Sequence, residues 1–91
     1  IDFWGNELTL HQTKLKLPRE RHDVDMGNVP VPHFGVHLKK EAFNYIKSNL
    51  ELNNISYIDK PYTRFKGTKF EQNTFFIEDP HGNVLELKTF E

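Results

Sequence analysis

The chain has 91 residues, with 36% hydrophobic and 13% aromatic residues, eight of them Phe. That is enough for one modest core, and at 27% charged residues and a net charge of −1 it is not the composition of a disordered chain. Basic and acidic groups are balanced in both halves, which excludes a general electrostatic affinity for nucleic acid or an anionic membrane, and the absence of Cys excludes disulfides, thiolate metal sites and cysteine nucleophiles. No apolar run is long enough to span a bilayer. No secretory leader is visible, so a cytoplasmic location is expected.

In chain order, residues 1–12 are expected to form a hairpin. Trp4-Gly5-Asn6 supplies the turn, and Leu8 and Leu10 then alternate with Thr9 and His11. The chain opens on Ile1 in what reads as mid-strand, so upstream sequence is expected. Residues 13–32 lack periodicity and carry Pro18, Pro30, Pro32 and the charged run Arg19 to Asp23; they read as a linker. Val29-Pro30-Val31-Pro32 is expected to leave it extended.

His33 to Leu38 is the next expected strand, with Phe34, Val36 and Leu38 on one face and His33, Gly35 and His37 on the other. Phe43, Ile46 and Leu50 recur at helical spacing, predicting an amphipathic helix from Lys39 to about Asn53. A short strand at Ser56–Ile58 and a loop from Pro61 to Gly67 follow. Asn73–Ile77 and Val84–Phe90 are expected strands joined by the turn Asp79-Pro80-His81-Gly82-Asn83. The order from residue 33 is β-α-β-β-β and the class is α+β.

Three residues with metal-ligand chemistry stand on the polar faces of these strands: His11, His33 and Glu86. Glu86 interrupts the run Val84-Leu85-Glu86-Leu87, where an unpartnered carboxylate would be costly. Two imidazoles and a carboxylate form the facial ligand set that suits Fe(II), Mn, Ni or Zn. Against it, a strand His is commonly a surface residue, a strand Glu on a wet face needs no ligand role, and the wide spacing carries no local motif.

Residues 33–90 resemble the second module of the vicinal oxygen chelate superfamily, which includes glyoxalase I, extradiol dioxygenases and bleomycin-resistance proteins. The resemblance rests on Pro32-His33-Phe34-Gly35-Val36, on Lys60-Pro61-Tyr62-Thr63-Arg64-Phe65-Lys66-Gly67, and on the stretch from Phe75 to Leu87. The last matches the pattern F-F-x-x-D-P-x-G-N-x-x-E. Residues 1–12 resemble the last hairpin of a preceding module whose other strands are not in this chain. The resemblance implies three parts: residues 1–12 from an incomplete first βαβββ module, a linker at 13–32, and a second βαβββ module at 33–91 with a cupped mixed sheet. It implies a divalent metal held by His33 and Glu86, with His11 at the position where members vary, Fe(II) being favoured over Ni, Zn or Mn. The activity implied is of dioxygenase or glyoxalase (lyase or isomerase) type, on a small substrate whose adjacent oxygens the metal chelates.

Within that frame, Glu86 and His37 are the candidate catalytic residues, and Arg64, Phe65, Tyr62 and Phe76 the candidate substrate contacts. Arg64 suits a carboxylate; the plainer reading of each is a solvated charge or a packing aromatic. A homodimer is expected. The alternatives are a metal-free small-molecule binder of the bleomycin-resistance type, or an inactive fragment that dimerises. His22, Asp23 and Asp25 fail as a calcium loop, because Phe34 stands where the last ligand should be. Asn54-Ile55-Ser56 matches a glycosylation sequon but reads as a helix end.

Overall fold

The computed structural model describes residues 1–14, 19–24 and 27–91, with Val24 and Gly27 described by their backbone alone. Asp25 and Pro18, singled out above, lie outside the described residues. The described elements are β1 (Asp2–Phe3), β2 (Asn6–Glu7), β3 (Glu20–Val24), β4 (Gly27–Val31), β5 (Phe34–His37), α1 (Lys40–Leu52), β6 (Asp59–Arg64), β7 (Gln72–Glu78) and β8 (Val84–Thr89).

The expected β-α-β-β-β order is present as β5-α1-β6-β7-β8. Its strands form one mixed four-stranded sheet in the order β5-β8-β7-β6. β5 runs parallel to β8, with Gly35 opposite Glu86, and the other pairs are antiparallel. The class is α+β. Side chains alternate across the sheet. One face carries Val36, Phe75, Ile77, Leu85 and Leu87 and packs on Phe43, Ile46 and Leu50 of α1. Phe75 is fully buried and Leu87 nearly so.

The opposite face carries Glu86, Thr74, Phe76, Val84 and Tyr62, and here the structure departs from the sequence reading. Glu20–Val24 and Gly27–Val31, expected as part of an aperiodic linker, pair antiparallel as the hairpin strands β3 and β4. Val29 buries itself with Phe76 and Val84, flanked by Val31, Ile58 and Tyr62. Pro30, one of the prolines that argue for a linker, is compatible with a two-stranded ribbon, whose outer edges need no backbone donor. Two ion pairs pin the hairpin to the sheet. Arg21 forks onto Asp59 at 2.6 and 3.3 Å, and Arg19 meets Glu78 at 2.5 Å. The Asp59 carboxylate beside it raises the Arg21 pKa above its ordinary value.

Two further expectations are corrected. Ser56–Ile58, expected as a strand, is not one: the Ile58 N–H donates to Phe76 O (2.8 Å), and β6 follows at Asp59–Arg64 through residues read as loop. β6 accepts Pro61 because it is an edge strand, and its register shifts between Asp59 and Tyr62. The first hairpin is shorter than expected. Trp4 (φ 49°) and Gly5 (φ 87°) take the left-handed conformations its two-residue turn requires, with Asp2 Oδ1 accepting from the Gly5 N–H. Pairing ends at Leu8, whose N–H donates to Ile1 O, and Thr9 to His11 are not strand. No helix among the described residues is long and apolar enough to cross a membrane.

Candidate metal and substrate site

His33 and Glu86 are 53 positions apart and come together because β5 and β8 are parallel neighbours. His33 precedes β5 on the face opposite α1, and Glu86 sits mid-β8 on the same face. Gly35 makes the approach possible. A Cβ there would lie 2.9 Å from Glu86 O and 3.1 Å from Glu86 Cβ, so a larger residue would force the strands apart at the carboxylate.

Both side chains are held from behind. His33 Nδ1–H donates to Pro30 O at 2.7 Å, which assigns the proton to Nδ1 and leaves the Nε2 lone pair toward Glu86 in the neutral ring. The His33 ring also stands edge-on to Phe76, centroids 5.1 Å apart. Glu86 is 5% exposed, and its Oε2 accepts from Thr74 Oγ1 at 2.7 Å. That leaves Oε1 directed at His33 Nε2, 3.7 Å away. The gap is too long for a hydrogen bond but shorter than two metal–ligand bonds of about 2.1 Å end to end. A carbonyl behind the imidazole and a hydroxyl behind the carboxylate are the outer contacts that orient metal ligands. The pair fits a divalent cation on these grounds.

The other residues singled out from the sequence are placed as follows. His11 is exposed, and its neighbours Leu8 and Leu10 line an apolar pocket with Phe34, Ile77 and Leu85, a segment held toward the helix-bearing face. Among the described residues no group of three or more His, Asp or Glu side chains converges on a metal position, so His11 does not join His33 and Glu86 within the chain. His37 lies one strand repeat beyond Gly35, opposite Lys88, exposed and edge-on to Phe90 at 4.6 Å. Phe76 is fully buried beneath Val29, facing His33.

Tyr62 and Arg64 share the face of Glu86, through the register Tyr62↔Thr74 and Arg64↔Gln72. Burial raises the Tyr62 phenol pKa above its ordinary value; the Arg64 cation opposes this, and the Asp59 and Glu86 carboxylates add to it. The phenol therefore stays protonated at neutral pH and can donate. Phe65 takes a left-handed conformation (φ 53°) that a bulky residue adopts at a cost, and its ring lies 5.0 Å under the Arg64 guanidinium. Its carbonyl accepts from the Thr68 N–H and hydroxyl.

Thr74, Gly35, the Pro30 carbonyl and Gln72 were not singled out from the sequence. Thr74 had a usable signal: a polar residue in an aromatic strand, with the same parity as Phe76, which the turn places opposite Glu86. Gln72 is 7% exposed, and among the described residues its Oε1 has no hydrogen-bond partner and its Nε2 makes a long contact to Phe70 O (3.4 Å). A buried acceptor left so costs about 1–3 kcal/mol.

With the site described, comparison with known proteins bears on the fold. No family model and no curated protein matches the chain. Among solved structures it is similar to a glyoxalase/bleomycin resistance protein/dioxygenase from Alicyclobacillus acidocaldarius, with a TM-score of 0.61 and 24% identity. The chain has the glyoxalase/bleomycin resistance/dioxygenase fold. The match covers 78% of this chain and 65% of that one, so this chain spans less than two thirds of its length.

Proposed function

We propose that the chain is part of a metal-dependent enzyme of the vicinal oxygen chelate type, acting on a small molecule with adjacent oxygens. The observation that carries this reading is the His33–Glu86 pair, 3.7 Å apart with each partner oriented from behind. His33 Nε2 and Glu86 Oε1 would hold the cation, Fe(II) by preference for a His and carboxylate set, with Mn, Ni or Zn as alternatives. Bound there, the metal supplies Lewis acidity toward the two substrate oxygens.

The chain's own residues account for the rest. Thr74 keeps Glu86 from rotating, Phe76 and Val29 exclude water behind His33, and Tyr62 offers a phenolic hydrogen bond on the substrate side. His11 is the proposed third ligand, delivered by a second copy in a homodimer, because Leu8 and Leu10 hold this segment away from the pair in its own chain.

The test is metal content by plasma mass spectrometry on untagged protein, with His33→Ala and Glu86→Gln beside it. The expected result is about one bound cation per site, lost in both variants. Retention in both variants would place the metal elsewhere. Failure to bind any cation after reconstitution would favour a metal-free binder of the bleomycin-resistance type.

A further inference from the structure

The site face is shared with the hairpin β3–β4, and few groups hold the hairpin there. Among its described side chains Val29 and Pro30 are buried, Val29 against Phe76 and Val84 with Val31 beside it. Arg19, Glu20, Arg21, His22, Asp23 and Asn28 are exposed. Of these, His22 bonds to Glu20 and Asn28 to Asp23, within the hairpin. Arg19 and Arg21 reach outward, to Glu78 and Asp59. Exposed ion pairs of this kind each shift an equilibrium by about fivefold at most. The main core on the helix side is a separate cluster, so the hairpin can lift without opening it.

The strand registers turn these contacts into a closed circuit. Arg21 stands opposite Pro30 in the hairpin. Its partner Asp59 stands opposite Phe76 in the sheet, and Phe76 stands opposite Glu86. Glu86 Oε1 faces His33 Nε2 at 3.7 Å, and His33 Nδ1–H donates back to Pro30 O at 2.7 Å. Docking of the hairpin and the state of the imidazole are thus linked. With the Pro30 carbonyl in place the ring proton stays on Nδ1. With it withdrawn, the acceptor facing the ring is Glu86 Oε1, and a ring shift of about 0.8 Å brings Nε2–H to hydrogen-bond length from it.

We propose that the hairpin is a strap that switches the His33–Glu86 pair between an open and a closed form. Docked, it leaves the Nε2 lone pair and Oε1 to receive a cation. Lifted, it lets the proton move to Nε2 and be donated to Oε1, so that the two groups bond to each other instead. One proton changes ring nitrogen through solvent, and none is gained or lost overall. Cation binding and strap docking then favour each other, by the same factor in both directions. This last step rests on the proposed function; the position of the ring proton does not.

The test compares the natural chain, Arg21→Glu, and the charge swap that combines Arg21→Glu with Asp59→Arg, all without metal. Long-range proton–nitrogen spectra at about pH 8.5, roughly two units above the ordinary His value, report which ring nitrogen of His33 carries the proton. Amide hydrogen exchange follows the hairpin and the sheet in the same samples. The natural chain is expected as the Nδ1–H form. Arg21→Glu should convert it mainly to Nε2–H and speed exchange at Val29 and Val31 by at least about tenfold, with β7 and α1 unchanged. The swap should restore both. An Nε2–H ring in the natural chain, an Nδ1–H ring that survives faster hairpin exchange, hairpin exchange that stays slow, sheet and hairpin exchange that rise together, or a swap that restores neither would each overturn the strap. Titration with Mn(II) separates the two readings. Arg21→Glu should weaken Mn(II) binding by about tenfold and the swap recover it, whereas equal affinity in all three chains would overturn the coupling. If no chain binds Mn(II) while the ring proton moves as expected, the metal reading fails and the strap stands.

Discussion

Glu86 is a carboxylate that the sheet shields almost entirely from water, and three single residues decide whether it can stay there. Gly35 gives it room, Thr74 holds one oxygen and His33 faces the other. Gly35→Ala is expected to destabilise the fold by about 1–3 kcal/mol, because the new Cβ meets backbone on the neighbouring strand rather than a side chain that can move. Urea denaturation would measure it. Thr74→Val keeps the shape but removes the hydroxyl, so it should weaken cation binding by about 10- to 100-fold, read by competition with a fluorescent chelator. Restoration by Thr74→Ser would show that the hydroxyl and not the packing is responsible. At this scale the sequence was partly legible. Glu86 stood out because a charge broke an apolar run, and His33 because an imidazole stood on a polar strand face within a family-like segment. Thr74 and Gly35 did not, because their value depends on which residue the neighbouring strand brings opposite them.

Elements bring those residues together, and the hairpin β3–β4 contributes most of what was unforeseen. Its Pro30 carbonyl sets the His33 tautomer, Val29 closes the apolar layer, and Arg21 and Arg19 tie it to the sheet. Val29→Ala should therefore cost about 1–2 kcal/mol in stability and also weaken cation binding, although Val29 touches no cation. A core change remote from the site would do only the first. Proline content hid this hairpin, since Pro argues against a central strand but not against an isolated ribbon. On the other face, Tyr57 links the segment after α1 to the core, ring against Phe75 and hydroxyl donating to Glu51 Oε1. Burial first, and that hydrogen bond second, push its pKa up to about 12 from an ordinary value of 10.0. Because the folded state holds the proton more tightly, Tyr57 contributes stability that is fully present below pH 10 and lost as pH rises toward 12. Denaturation midpoints across that range should fall less steeply in Tyr57→Phe than in the natural chain. α1 and the β7–β8 turn were read closely from sequence, since helical spacing and the Asp79 and Asn83 turn chemistry are local signals. Pro61 misled the reading of β6, because the tolerance of an edge position depends on the final strand order.

For the whole molecule, one helix against one four-stranded sheet gives a small main core centred on Phe75, Phe43, Leu38 and Leu87. Phe75→Ala should remove about 3–5 kcal/mol, a large fraction of the roughly 5–15 kcal/mol available to a domain. The expected outcome is loss of the cooperative thermal transition in circular dichroism, with cation binding lost along with it.

The parallel pairing of β5 with β8 has a kinetic consequence. His33 and Glu86 become neighbours only when a segment reaching from Phe34 to Leu85 has closed on itself, and α1, β6 and β7 all lie inside that segment. Long-range closures of this kind are slow compared with helix or hairpin formation. A cation that needs both residues would therefore find no partial version of its site on the way. Its capture would coincide with the final docking step and hold the chain's two distant ends of sequence together, so that depleting the metal would accelerate unfolding itself.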